Sequence, residues 1–179
     1  MSQRIFFLLL LLFPLPVLGD AQLYLSPERG SYSPGEAFTI SVFANTDGAP
    51  MSAAEAELSF DANMVSIESL SIQGSILSSW STTPIYSSED SRIRFAGWTR
   101  QNFTGPQGLL MTITAKALRN GPVDIKFLSG SVLAADGRGS NIISTMKGGL
   151  YTIGPRQIEP DPVTVPTPSF EPQVLGTRT

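Results

Sequence analysis

Glu55 and Glu57 stand two residues apart in the stretch A-E-A-E-L-S-F, residues 54–60, and are the first side chains that could do chemistry. On a strand, residues at i and i+2 share a face ~7 Å apart, inside the broad range used by paired catalytic carboxylates. A general acid, however, needs a pocket that raises its pKa, and an open sheet lined with arginine acts in the opposite sense. The pair therefore reads as surface and not as a glycosidase centre. Two absences remove most other catalysis. Without Cys there is no disulfide framework, zinc–thiolate site or thiol nucleophile, and without His there is no imidazole base or His-held metal. The chain reads as a non-enzyme.

Two further groups could hold a ligand. D-G-R-G-S-N at 136–141 offers Asp136, Ser140 and Asn141 as oxygen donors. Calcium takes roughly six to eight such ligands, so Asp136 and Asn141 are weak candidates and a glycine-rich turn is the plainer reading. No metal or cofactor is expected on this chain. Trp80, Tyr86, Trp98 and Phe103 could form a strip on which sugar rings stack, or could fill core space under loops. N-F-T at 102–104 is an N-glycosylation sequon, relevant only in a glycosylating host.

The elements that must carry these residues are short strands. Charged residues make up 15% of the 179 positions and the net charge is −3, which leaves no basic field for nucleic acid or anionic lipid. Alternation places Phe38, Ile40, Val42 and Ala44 on one face of 37–45, and Ala54, Ala56, Leu58 and Phe60 inward on the next strand. Further strands are expected at 22–26, 64–72, 84–87, 92–98, 108–117, 123–127, 131–135 and 150–153. Turn chemistry such as N-T-D-G at 45–48 and N-G-P at 120–122 separates some of them. No run of ten residues keeps a helical period, although 72–80 could form a helical turn. About nine strands in one unit, 22–154, predict an all-β fold of two antiparallel sheets packed face to face, with a closed barrel or an open meander as the runner-up.

The flanks differ in character. Residues 1–19 hold Arg4 and then an apolar run broken by Pro14 and Pro16, the pattern of a secretory signal peptide cleaved after Gly19 or Ala21. An uncleaved N-terminal anchor is the rival reading, although the run is short for a membrane span. Residues 155–179 are Pro-rich and read as an extended, disordered linker or tail, either free or once followed by a C-terminal anchor. The protein is expected outside the cell or attached to its surface.

Taken in order, these pieces resemble a cohesin domain, the receptor module of cellulosome scaffoldins. Y-L-S-P-E-R-G-S-Y-S-P-G-E-A-F-T-I-S-V resembles the family's opening strands. A-A-E-A-E-L-S-F-D-A-N-M-V-S-I is similar to its strand ending in Tyr/Phe-Asp-Pro, with Ala62 at the usual Pro. G-L-L-M-T-I-T-A-K-A and G-P-V-D-I-K-F-L-S-G-S-V-L-A-A-D-G resemble its late strand and closing hairpin. The resemblance spans about residues 22–153. It implies a jelly-roll sandwich without a catalytic centre that binds a calcium-loaded dockerin, the calcium belonging to the partner.

It also implies that strand 53–60 lies between 92–98 and a late strand. Glu55, Glu57, Arg92, Arg94, Asp124 and Lys126 would then share one exposed face. Two readings stand: a solvated charge ladder, or a partner-binding mosaic in which Glu55 matches an acidic contact position. The expected function is protein–protein assembly by a monomeric module, linked to extracellular polysaccharide breakdown. The alternative is direct binding of a surface polysaccharide by Trp80, Tyr86 and Trp98.

Overall fold

The computed structural model describes residues 20–155. The expected signal segment and all but Pro155 of the Pro-rich segment lie outside the described residues. Eleven strands and no helix occur among them: β1 (Ala21–Ser26), β2 (Arg29–Tyr32), β3 (Ala37–Asn45), β4 (Met51–Ser59), β5 (Val65–Ser71), β6 (Ser79–Ser87), β7 (Arg92–Phe103), β8 (Gly108–Ala117), β9 (Gly121–Ala134), β10 (Ile143–Lys147) and β11 (Gly149–Ile153).

They form a five-stranded sheet, β10-β1-β3-β8-β5, and a six-stranded sheet, β2-β11-β9-β4-β7-β6. Alternation builds the space between them. Phe38, Ile40, Val42 and Ala44 from β3 point inward, as do Leu110, Ile113 and Ala115 from β8. Ala54, Ala56, Leu58, Ile93 and Phe95 supply the core side of the six-stranded sheet. At one end Tyr32 stacks on Phe38 with centroids 4.0 Å apart, beside buried Tyr151, whose hydroxyl donates to the Pro27 carbonyl at 2.8 Å. Burial holds the Tyr151 phenol well above its usual pKa.

The β-sandwich stands, with three corrections to its details. There are eleven strands in place of about nine: β2 and β10 add edges, while 123–127 and 131–135, expected as two strands, run together in β9. Neither sheet is purely antiparallel, since β10 runs parallel to β1 and β2 parallel to β11. The stretch 72–80 forms no helix: Ser75 N–H bonds Ile72 O at 3.0 Å in a turn, and Ser79 and Trp80 open β6.

β9 is the long element that sets the functional face. Its first half pairs with β11 and its second with β4, and the β4–β9 register shifts between Glu57 and Leu58. That bulge puts Ser129 opposite Glu57 and Phe127 opposite Leu58, leaving Leu128 as the extra residue.

Candidate functional site

The outer face of β9, β4, β7 and β6 gathers most of the expected residues. Exposed Glu55 lies opposite Ala96 on β7 and Ser131 on β9, and Ser131 Oγ donates to Glu55 Oε1 at 2.9 Å. Glu57 is held differently. Arg92 Nε meets its Oε1 at 3.0 Å and Arg94 Nε its Oε2 at 3.3 Å, so one carboxylate bridges two guanidinium groups. Arg94 is its direct cross-strand partner, whereas Arg92 is opposite Ser59 and reaches it diagonally. These side chains are 29–48% exposed, so each pair adds only ~0.2–1 kcal/mol to stability. The bridge fixes Glu57 and both arginines in place, while Glu55 stays open to solvent.

The six charged residues do not form one ladder. Asp124 and Lys126 bond each other at 2.6 Å farther along β9, where Asp124 is opposite Leu150 and Lys126 opposite Ser59. β4 ends at Ser59, opposite Lys126, so Asp124 pairs with β11, while Ser129 and Ser131 stand opposite the two glutamates. The site therefore centres on Glu55, Glu57, Arg92 and Arg94, with Lys126 at its rim.

Between Arg94 and Trp98 the sheet surface sinks into a shallow trough. Ala53, Ala96, Ser129, Gly130 and Ser131 line it together with the glutamates. Trp98 closes one end at 46% exposure, opposite Ala53 and Ser79. The face thus passes from charge at Arg94 and Glu57, through Glu55, to an apolar end at Trp98 and Leu133. Sequence reasoning missed the trough because alanine and serine at outward positions look like neutral filler. Their smallness beside Glu55 and Trp98 was the available signal.

The expected aromatic strip does not form. Trp80 pairs with buried Gly97, packs against the core and faces inward, while Trp98 faces out. Tyr86 lies opposite buried Ile93 at the sheet edge and is 39% exposed. Phe103 is half-buried against the core. The two indoles sit on opposite faces of the sheet, because the aligned pairs Trp80–Gly97 and Ser79–Trp98 differ by one residue.

In the 136–141 loop, Asp136 Oδ1 accepts the N–H groups of Arg138 and Gly139 at 2.8 and 2.9 Å, and Oδ2 accepts Ser140 Oγ at 2.5 Å. Asn141 Oδ1 accepts from Val132 N and Ile143 N, each at 3.2 Å. Both candidate ligands are engaged in shaping the turn, and no cluster of three or more metal-binding side chains occurs among the described residues. The Ser140 bond first, then that of Arg138, lowers the Asp136 pKa from 3.8 to about 2. A depressed carboxyl pKa stabilises the folded loop above 3.8, and that gain disappears as pH falls toward about 2. Carbon-detected NMR should place the Asp136 midpoint near that value, and Ser140→Ala should move it back toward the ordinary one.

The comparisons agree on one family. The sequence model described as "Cohesin domain" matches residues 26–150. No curated protein sequence matches the chain. Among solved structures, a non-cellulosomal cohesin from the hyperthermophilic archaeon Archaeoglobus fulgidus is similar at TM-score 0.61 and 14% identity, covering 76% of this chain and 92% of that one. The seventh ScaB type I cohesin from Pseudobacteroides cellulosolvens gives TM-score 0.60 at 15% identity, covering 77% of this chain and 94% of that one. The Coh-OlpA–Doc918 structure, a type I cohesin–dockerin complex from Clostridium thermocellum, gives 0.60 at 16%, with 75% and 99% covered.

Proposed function

The chain belongs to the cohesin family, and from that premise we propose that it is a non-catalytic binding module that captures a dockerin-type protein on the outer face of its six-stranded sheet. The observation that carries this reading is the trough with its graded walls. Two arginines clamped on Glu57 lie at one end, Glu55 stands exposed at the centre outside that clamp and an exposed indole closes the other end. Ordered charge gives a partner its orientation, and an exposed aromatic beside small residues gives it a contact to bury. Related cohesins have been solved with dockerins bound, which supports the same class of partner here.

Calcium in this reading belongs to the partner. Calorimetric titration of the purified module with calcium-loaded dockerins should give saturable binding that a chelator abolishes. Heat absent from every dockerin encoded in the same genome would remove the reading.

The module is further proposed to act outside the cell, as a monomer, in assemblies that degrade polysaccharide. The N-terminal signal pattern supports export, and the fold bears on its cleavage. Ala21 is fully buried, its N–H bonds Ile142 O at 2.9 Å, and it is aligned with Ile143. Removal of Ala21 would shorten β1 at a buried position, so cleavage after Gly19 is expected. Intact-mass measurement of the exported protein should find Asp20 at its start; a start at Gln22 would contradict this.

A further inference from the structure

The outer face of the five-stranded sheet has a different chemistry from the trough. In the β1–β3 register Gln22 is opposite Asn45, Tyr24 opposite Phe43 and Ser26 opposite Ser41. β8 extends the rows with Leu109 opposite Phe43 and Thr112 opposite Ser41. Along these three strands the outward residues are amides, hydroxyls, two aromatics, one leucine and, opposite Lys116 at the far end of β8, Ala37. Lys147 on β10, aligned with Tyr24, sits at the margin.

Tyr24 is placed unusually for a strand residue. Its hydroxyl donates to the Pro106 carbonyl at 3.2 Å, in the loop before β8. β1 does not adjoin β8, so the side chain must cross β3 to reach that loop. On the way its ring stacks with Phe43, centroids 5.5 Å apart and planes 24° from parallel. The phenol therefore lies against Phe43 and is half-buried, with part of its ring left exposed. Partial burial raises its pKa, so it remains a neutral phenol.

We propose that this platform is a second binding site, for a neutral polysaccharide chain. The apolar face of a sugar ring stacks on Tyr24, and the Gln22 and Asn45 amides and the Ser41 and Thr112 hydroxyls meet its hydroxyl groups. Asn45 Oδ1 already accepts Asp47 N–H at 2.9 Å, so its amide nitrogen serves as the donor. The match is one of charge as well as shape. Gln22, Tyr24, Ser41, Asn45 and Thr112 carry no charge, and the flanking Lys147 and Lys116 make none of the proposed contacts, so a neutral glycan meets each of them without a counter-charge. This site goes beyond the protein-binding reading and lies on the opposite sheet, so the module can hold a partner and a glycan together.

Affinity electrophoresis of the full chain, through gels containing hydroxyethylcellulose, barley β-glucan, xylan or glucomannan, tests the proposal, with polygalacturonate as the charged comparison. Retardation is expected on at least one neutral polymer and not on polygalacturonate. Tyr24→Ala should weaken it about tenfold, Gln22→Ala about fivefold, and Trp98→Ala, on the other sheet, should leave it intact. Gln22→Ala retains the Tyr24–Phe43 pair and decides the matter if Tyr24→Ala fails to fold. Free migration on every neutral polymer, equal retardation on polygalacturonate, full retention in both β1 variants, or loss only in Trp98→Ala would each overturn the site. Dockerin capture by Gln22→Ala should be normal, which separates failure here from failure of the protein-binding reading.

Discussion

Replacing Glu55 with lysine is expected to weaken partner capture by at least ~10-fold while leaving the melting temperature nearly unchanged. The stability half follows from exposure. Glu55 gives up one surface hydrogen bond, from Ser131, and touches neither arginine of the Glu57 bridge. Such a bond adds little in water. The capture half follows from position, since Glu55 lines both halves of the trough between Arg94 and Trp98. Reversing that charge opposes any partner group arranged to meet a carboxylate. Calorimetric Kd values and thermal melts on the same two proteins measure both halves. Unchanged affinity with an unchanged melt would move the binding surface elsewhere.

Gly97→Ala is expected to destabilise the domain by about 1–3 kcal/mol, the range for overpacking a close contact. A β-carbon at Gly97 would lie 2.6 Å from the Ser79 carbonyl oxygen and 3.0 Å from the Trp80 ring. The first neighbour is backbone, so β6 must shift away from β7 to admit even a methyl group. That shift disturbs the seat of Trp80 and the β6 wall of the trough together. Urea denaturation should show a lower midpoint with an unchanged slope. A midpoint equal to that of the parent would show that β6 is free to move and that Trp80 does not fix it.

Much of the sandwich was legible because β3 alternates throughout and β4 and β8 alternate apart from one break each, and a single buried face leaves such strands little choice of register. β2 was hidden in turn-rich R-G-S-Y, where an edge strand carries little apolar signal. β10 was hidden in the same way, with four of its five residues exposed. The parallel pairings of these two edges depend on long connections that no local pattern encodes.

Within the site, the partnership of Glu57 with Arg92 and Arg94 could be anticipated once strand 53–60 was set beside 92–98. The separation of Asp124 and Lys126 from the glutamates could not, since it rests on where β9 passes from β4 to β11, which no local pattern encodes. The indoles show the same limit. Trp80 and Trp98 have the same residue type, and a cross-strand register that only the folded sheet supplies sends one inward and the other out.

The central claim is that the outer face of the six-stranded sheet is where a dockerin binds. Backbone NMR of the labelled module, titrated with unlabelled calcium-loaded dockerin, tests it most directly. The account predicts that shifted resonances cluster at Glu55, Glu57, Arg94, Ala96, Trp98, Ser129 and Ser131, with β1, β3 and β8 unaffected. Shifts confined to β1, β3 and β8, or none at saturating partner, would contradict it.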